Sequence, residues 1–202
     1  MLANMKLYYR IIVKDKNGKV IKKTRLRRSR SFTIGMLQFI EQLICRDYGS
    51  NIDAPYVIIK NTVGVNKTLH PSMSNSVCAV FCPDNSSTWG ILVGTGTTAP
   101  TNMDYNLATQ IAHGTGAGQL DYGAHSRVQA REVGSNVDLV ISRSFYNGSG
   151  NTVTIKEIGF TCASMDDTAN PFYFLLARDV VSDTPVLNTE TATVQYTLRT
   201  TV

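Results

Sequence analysis

Cys78 and Cys82 have three residues between them and His70 upstream, a spacing that could offer zinc two thiolates and an imidazole. A fourth ligand would have to come from Cys45 or Cys162, both distant in sequence. Four cysteines in 202 residues are too sparse for a disulfide framework, so buried free thiols are the leading expectation. Zinc, and a disulfide or redox pair, stand as alternatives. The histidines His70, His113 and His125 sit in polar or glycine-rich surroundings, with no H-E-x-x-H, G-x-S-x-G or paired-carboxylate pattern beside them. The run His113-Gly114-Thr115-Gly116-Ala117-Gly118 has glycines enough to cradle a phosphate but lacks the Gly-Lys-Ser/Thr ending whose lysine and hydroxyl engage phosphate and metal. The residues after Gly118 are strand-like rather than helical, so a turn is expected at the glycine run. These residues point to no enzyme, no cofactor and no resident metal.

The other chemistry is electrostatic. The formal charge of +5 conceals an asymmetry: up to Tyr48 there are twelve Lys or Arg against three acids, and beyond it eight against twelve. Lys19 to Arg30 alone carries seven positive charges and no acid. Within it Lys22, Lys23, Arg25, Arg27, Arg28 and Arg30 are the candidate contacts, to acidic residues of a neighbouring protein or to nucleic-acid phosphates. No aromatic residue interleaves with them to stack on bases.

The elements that must position these groups are mostly strands. Leu7–Lys14 and Val20–Leu26 flank Lys16-Asn17-Gly18-Lys19, and the Asn-Gly pair predicts a two-residue hairpin turn. Ser31 or Thr33 can cap a helix running to about Arg46 and ended by Tyr48 to Asn51, and its apolar stripe predicts Ile34, Leu37, Ile40 and Ile44 as the packing face. Tyr56–Lys60 is an expected strand, 61–76 an extended polar loop, and Val77–Phe81 a further short strand. Trp89–Gly94 reads as a buried strand, followed by the loop Thr95 to Asp104, in which Thr95, Thr97, Thr98 and Asp104 are candidate contacts. A short helical turn is expected near Tyr105 to Leu107.

From Ser126 on, strands alternate with polar turns: Ser126–Glu132, Val137–Tyr146, Thr152–Cys162, Phe172–Val180 and Thr191–Val202. In the last, Val194, Tyr196 and Leu198 share one face while Gln195 and Arg199 take the other. The expectation is a mainly β protein, an antiparallel β-sandwich of jelly-roll type, with an N-terminal basic hairpin and one amphipathic helix. Residues 1–50 form the assembly module and 51–202 the body. A hydrophobic content of 43% excludes a disordered chain, and no apolar run is long enough to span a bilayer.

Several segments together resemble virion structural proteins of tailed bacteriophages and related viruses. They are Ser29-Arg30-Ser31-Phe32 before the helix, Trp89 to Pro100, Asp104-Tyr105-Asn106-Leu107, Ile111-Ala112-His113-Gly114, Ile155-Lys156-Glu157-Ile158-Gly159 and Leu176-Ala177-Arg178-Asp179. The resemblance implies a non-enzymatic particle component, assembled in the host cytoplasm. Its position would be a tail, connector or tail-fibre base, and its partners copies of itself and other virion proteins, with contact to packaged DNA possible. Capsid decoration and a nucleic-acid-binding module are the alternatives. A host-recognition domain stacking Trp89, Tyr105 and Tyr122 on sugars ranks below them.

Overall fold

The computed structural model describes residues 5–44, 57–69 and 78–201. Cys45, His70, Tyr56, Val77, Val202 and the helix-ending segment 48–51 lie outside them, as does the side chain of Ile44.

The chain forms an antiparallel β-sandwich, as the strand pattern predicts. One sheet contains β1 (Lys6–Lys14), β2 (Val20–Lys23), β3 (Arg27–Arg28), β7 (Asp121–Val133), β8 (Asn136–Tyr146) and β11 (Thr191–Thr201), in the order β2-β1-β11-β8-β7, with β3 also on β1. The other contains β6 (Gly90–Gly94), β9 (Val153–Met165) and β10 (Pro171–Val186), in the order β10-β9-β6. A small hairpin, β4 (Ile58–Lys60) and β5 (Asn66–Thr68), and one helix, α1 (Ile34–Ile44), complete the elements.

Alternation of side chains decides which face of each strand is buried. In β1, Leu7, Tyr9, Ile11 and Val13 are buried and face Ala192, Val194 and Tyr196 of β11, while Lys6, Tyr8, Arg10, Ile12 and Lys14 turn outward. The basic N-terminal segment therefore shares a sheet and a core with the C-terminal strand. Phe160 and Tyr196 stack across the two sheets at 5.3 Å, and Tyr122 meets Phe145 edge to face at 4.9 Å.

The middle of β10 is buried on both faces because a third layer covers it. Phe172, Phe174 and Leu176 point away from the main core and, with Val57, Ile59 and Leu69, form a second cluster on which Met36 and Phe39 of α1 pack. Full burial of a side chain such as Phe174 contributes about 2–3 kcal/mol.

Four local expectations need correction. Gly18 lies not in a two-residue turn but at the end of a longer loop: the Asp15 amide donates to the Lys19 carbonyl, the Asp15 carboxylate accepts from the Asn17 and Lys19 amides, and Gly18 takes φ +79°. The expected polar loop after Asn61 folds back as β5, because the Asn61 side chain accepts from the Val63 and Val65 amides and closes a tight turn. No helical turn forms at residues 105–107, and among the described residues 78–81 of the expected strand only Ala79 is paired, in a bridge to Ala163.

Candidate functional site

The outward face of the larger sheet is laid out by strand register, since residues directly opposite on neighbouring strands share a face. Lys6, Arg199, Asp138 and Arg131 form one row across β1, β11, β8 and β7. Arg10, Gln195, Ser142 and Ser126 form another, and Lys14, Thr191, Tyr146 and Asp121 a third. Lys23 joins opposite Ile12, and Arg28 opposite Tyr8. Two carboxylates stand in these rows. Asp121 sits on β7, at the far end from the cations of β1, with Oδ1 3.4 Å from Nδ1 of His113. Asp138 holds Arg199 through two bonds of 2.6 Å. That bidentate pair, outweighing the cost of its burial, keeps the Asp138 carboxyl below the usual carboxylate range. Lys6, Arg10, Lys14, Lys23 and Arg28 are in no ion pair among the described residues. The Arg10 Nε is buried with no hydrogen-bond partner there.

The structure thus divides the six basic residues picked out in the sequence. Lys23 and Arg28 join this face; Lys22, Arg25 and Arg27 instead rim a cleft of about 290 Å3 at the open edge between the sheets, floored by Tyr9, Ile11 and Val181. There the Lys22 ammonium donates to the Asp183 carbonyl at 3.1 Å. Arg30 is exposed beside Ser29 and Ser31, and Ser31 Oγ donates to the buried carboxylate of Asp179. Burial pushes the Asp179 carboxyl up, against the hydrogen bonds it accepts. Lys6, Arg10 and Lys14 were missed by sequence reasoning because four-residue spacing on a strand dilutes the charge, although the period-two pattern places all three on one face.

Of the predicted helix face, Ile34 and Leu37 do not pack on the body of the same chain, and the side chain of Ile44 lies outside the described residues. Leu37 is 65% exposed and Ile34 38%, whereas Gly35, Met36 and Phe39 are turned inward. The cause is steric: a Cβ at position 35 would stand 2.7 Å from the Leu175 carbonyl oxygen, so the backbone approaches β10 on the glycine side. Ile40 is half-buried. Ile34, Ile58, Met103 and Tyr105 line a cleft of about 350 Å3 beside the helix.

The loop Thr95 to Asp104 is held rigidly from below. Glu157 is fully buried and accepts from the Gly96 amide at 3.0 Å, the Thr109 amide at 2.7 Å and the Ala108 amide at 3.1 Å. Arg178 donates Nε to Glu157 at 2.8 Å, Nη1 to Asp104 at 2.8 Å and Nη2 to the Thr98 carbonyl at 2.9 Å. Burial alone would raise the Asp104 carboxyl, but the bonds from Arg178 and Thr101 outweigh it and hold it down. Asp104 is therefore a brace of the loop, while Thr95, Thr97 and Thr98 are exposed on its surface.

Cys78 and Cys162 are joined as a disulfide, with Cα atoms 5.3 Å apart. The expectation of free thiols fails for these two and holds for Cys82, which is buried and free. The proposed zinc set loses Cys78 to that bond, and no cluster of three or more metal-ligating side chains occurs among the described residues. His125 accepts from the Ile91 amide at 2.9 Å through Nε2, and its Nδ1 meets the Cys82 carbonyl at 3.2 Å. Burial, and then the Arg143 guanidinium, lower its pKa to about 4. In the glycine run, the Gln119 side-chain oxygen accepts from the Gly116 amide and lies against Gly114 and Gly116, closing a turn. The aromatic trio is dispersed: Tyr122 is fully buried with its hydroxyl on the Ile111 carbonyl, and Trp89 stacks on Tyr173 at 5.2 Å. No helix among the described residues is long and apolar enough to cross a membrane. Compared with protein-family models, with curated proteins and with solved structures, the chain matches none.

Proposed function

We propose that this chain is a non-enzymatic structural protein of a virus particle, a tail, connector or tail-fibre-base component that assembles in several symmetric copies. The observation that carries the reading is the uncovered apolar surface beside α1, where Ile34, Ile58, Met103 and Tyr105 are exposed around one cleft and Leu37, one turn on from Ile34, is exposed on the helix. Contiguous apolar surface of this kind marks protein contacts, and a second copy of the chain is the occupant in a symmetric assembly. Two further features suit a scaffold. Buried charges serve to hold loops in place, as Arg178 and Glu157 do beneath 95–104, and one apolar cluster fills the sandwich while a second packs α1 and the β4–β5 hairpin onto β10. The segments from Ser29 to Asp179 that resemble phage virion proteins give the assembly its setting, a particle put together in the host cytoplasm.

Quantitative mass spectrometry of density-purified particles tests this, with the chain expressed as copies per major capsid protein. A low count matching a tail or connector symmetry is expected. Hundreds of copies would assign the chain to capsid decoration, and absence from particles would overturn the virion reading. In solution, Leu37→Asp is expected to reduce self-association, measured by sedimentation velocity, without changing the fold.

A further inference from the structure

We infer that the outward face of the larger sheet is a platform for the phosphate backbone of a nucleic acid. The inference stands on the charge layout of that face and does not rest on the virion reading. Five cations, Lys6, Arg10, Lys14, Lys23 and Arg28, lie on one side of β1, β2 and β3 and are in no ion pair among the described residues. At roughly 3.4 Å per residue, Lys6 to Lys14 spans about 27 Å of strand, so the charges are spread along a strip rather than gathered at a point. A strip of that length suits a polymer of anions and not a single small one.

Beside Arg10 on β11 stands a neutral donor, Gln195, which can bond to phosphate oxygens without regard to base, and Ser142 and Ser126, hydrogen-bonded to each other at 2.8 Å, continue the row away from the cations. Tyr8 and Tyr146 bring to the same face the aromatic surface that the basic segment lacks in sequence, Tyr8 stacking under Arg199 at 5.4 Å.

Among the described residues, the carboxylates in the rows of this face are Asp138 and Asp121, and neither stands free beside the cations of β1. Asp104 and Glu157 are held by Arg178, Asp166 by Lys67 and Asp138 by Arg199, while Asp179 and Glu190 are buried. Asp121 lies beside His113 on β7, three strands away from the cations of β1. A two-fold contact of the face with itself would bring together two surfaces of the same net charge. The complementary surface must therefore come from another molecule, and a phosphodiester chain supplies regular negative charge with acceptors for every donor in the rows.

The test is fluorescence anisotropy with a 30-base-pair DNA, and with one of its strands alone, from 50 to 200 mM salt. If the five cations each neutralise one phosphate, the duplex affinity falls with a log–log slope near −4.5, on the order of several hundredfold over that range. Lys6→Gln/Arg10→Gln/Lys14→Gln should weaken binding at least tenfold at 50 mM and flatten the slope by about 2.7. Lys22→Gln/Arg25→Gln/Arg27→Gln removes the same formal charge from the cleft and should change affinity less than threefold. Equal losses from the two variants, or no binding at 50 mM, would overturn the inference. So would displacement of DNA by poly-glutamate at equal charge concentration, which would make the partner an acidic protein. Should the first variant fail to fold, acetylation footprinting of the unaltered protein decides: DNA should protect Lys6, Lys14 and Lys23, and protection of Lys22 without them would defeat the proposal.

Discussion

Arg178 and Glu157, on adjacent strands of the smaller sheet, meet with Nε and Oε2 2.8 Å apart, and everything between Gly96 and Thr109 hangs from that contact. The carboxylate is fully buried and satisfied by three backbone amides and one guanidinium, so the pair acts as a bolt under the loop.

Arg178→Met is therefore expected to cost about 3–5 kcal/mol, because it leaves a buried carboxylate without its counter-charge. The urea midpoint should fall accordingly, and hydrogen exchange should quicken first at 96–109. Equal loss of protection in β1, far from the bolt, would argue against a local role.

His125 predicts a pH dependence. Its folded-state pKa, lowered to about 4, lies below the ordinary 6.5, so the unfolded chain binds the extra proton between those values. The contribution is present in full above 6.5 and is lost as pH falls from 6.5 to 4. His125→Gln should flatten the urea-midpoint profile in that window. An unchanged slope would mean that other groups carry it.

Much of the architecture was legible in the sequence and some was not, for identifiable reasons. Period two located β8 to β11 and set Val194 and Tyr196 inward with Gln195 and Arg199 outward, because an alternating strand has only two faces. Helical periodicity found α1 but not its packing side: Ile34 and Leu37 are more apolar than Gly35, yet closeness of approach rather than apolarity determined the contact. The Asp104, Glu157 and Arg178 cluster spans three separate segments, and its one sequence signal is a glutamate two and four residues after Ile155 and Val153, in line with inward positions. The basic face was half visible, since Lys23 and Arg28 fell in a charge run while Lys6, Arg10 and Lys14 were hidden among apolar neighbours.

The side of α1 that packs can be separated from the side that is exposed. Leu37→Asp should leave stability within about 0.5 kcal/mol, since Leu37 touches little of its own chain. Phe39→Ala should cost about 2–3 kcal/mol by removing a ring 5.9 Å from Phe174 at the edge of the second cluster. Thermal melts of the two variants check the contrast, and comparable losses would restore the face expected from the apolar stripe.

Arg143 gives the sharpest case of a charge used as a frame. It is almost fully buried and has no carboxylate partner among the described residues; its five bonds go to the carbonyls of Gly123, Trp89, Ile91, Pro83 and Ser86, at 2.6 to 3.3 Å. The guanidinium also lies 4.8 Å from the centre of the Tyr122 ring. A planar fork with five donors fits this array, and an ammonium does not. Arg143→Met should cost roughly 3 kcal/mol or more, because it strands several buried carbonyls, and Arg143→Lys should recover only part of that. Urea unfolding of the two variants measures the difference, and hydrogen exchange at 83–91 should rise in both. Full rescue by lysine would show that charge, rather than the geometry of the fork, holds the segment before β6 against the sheet.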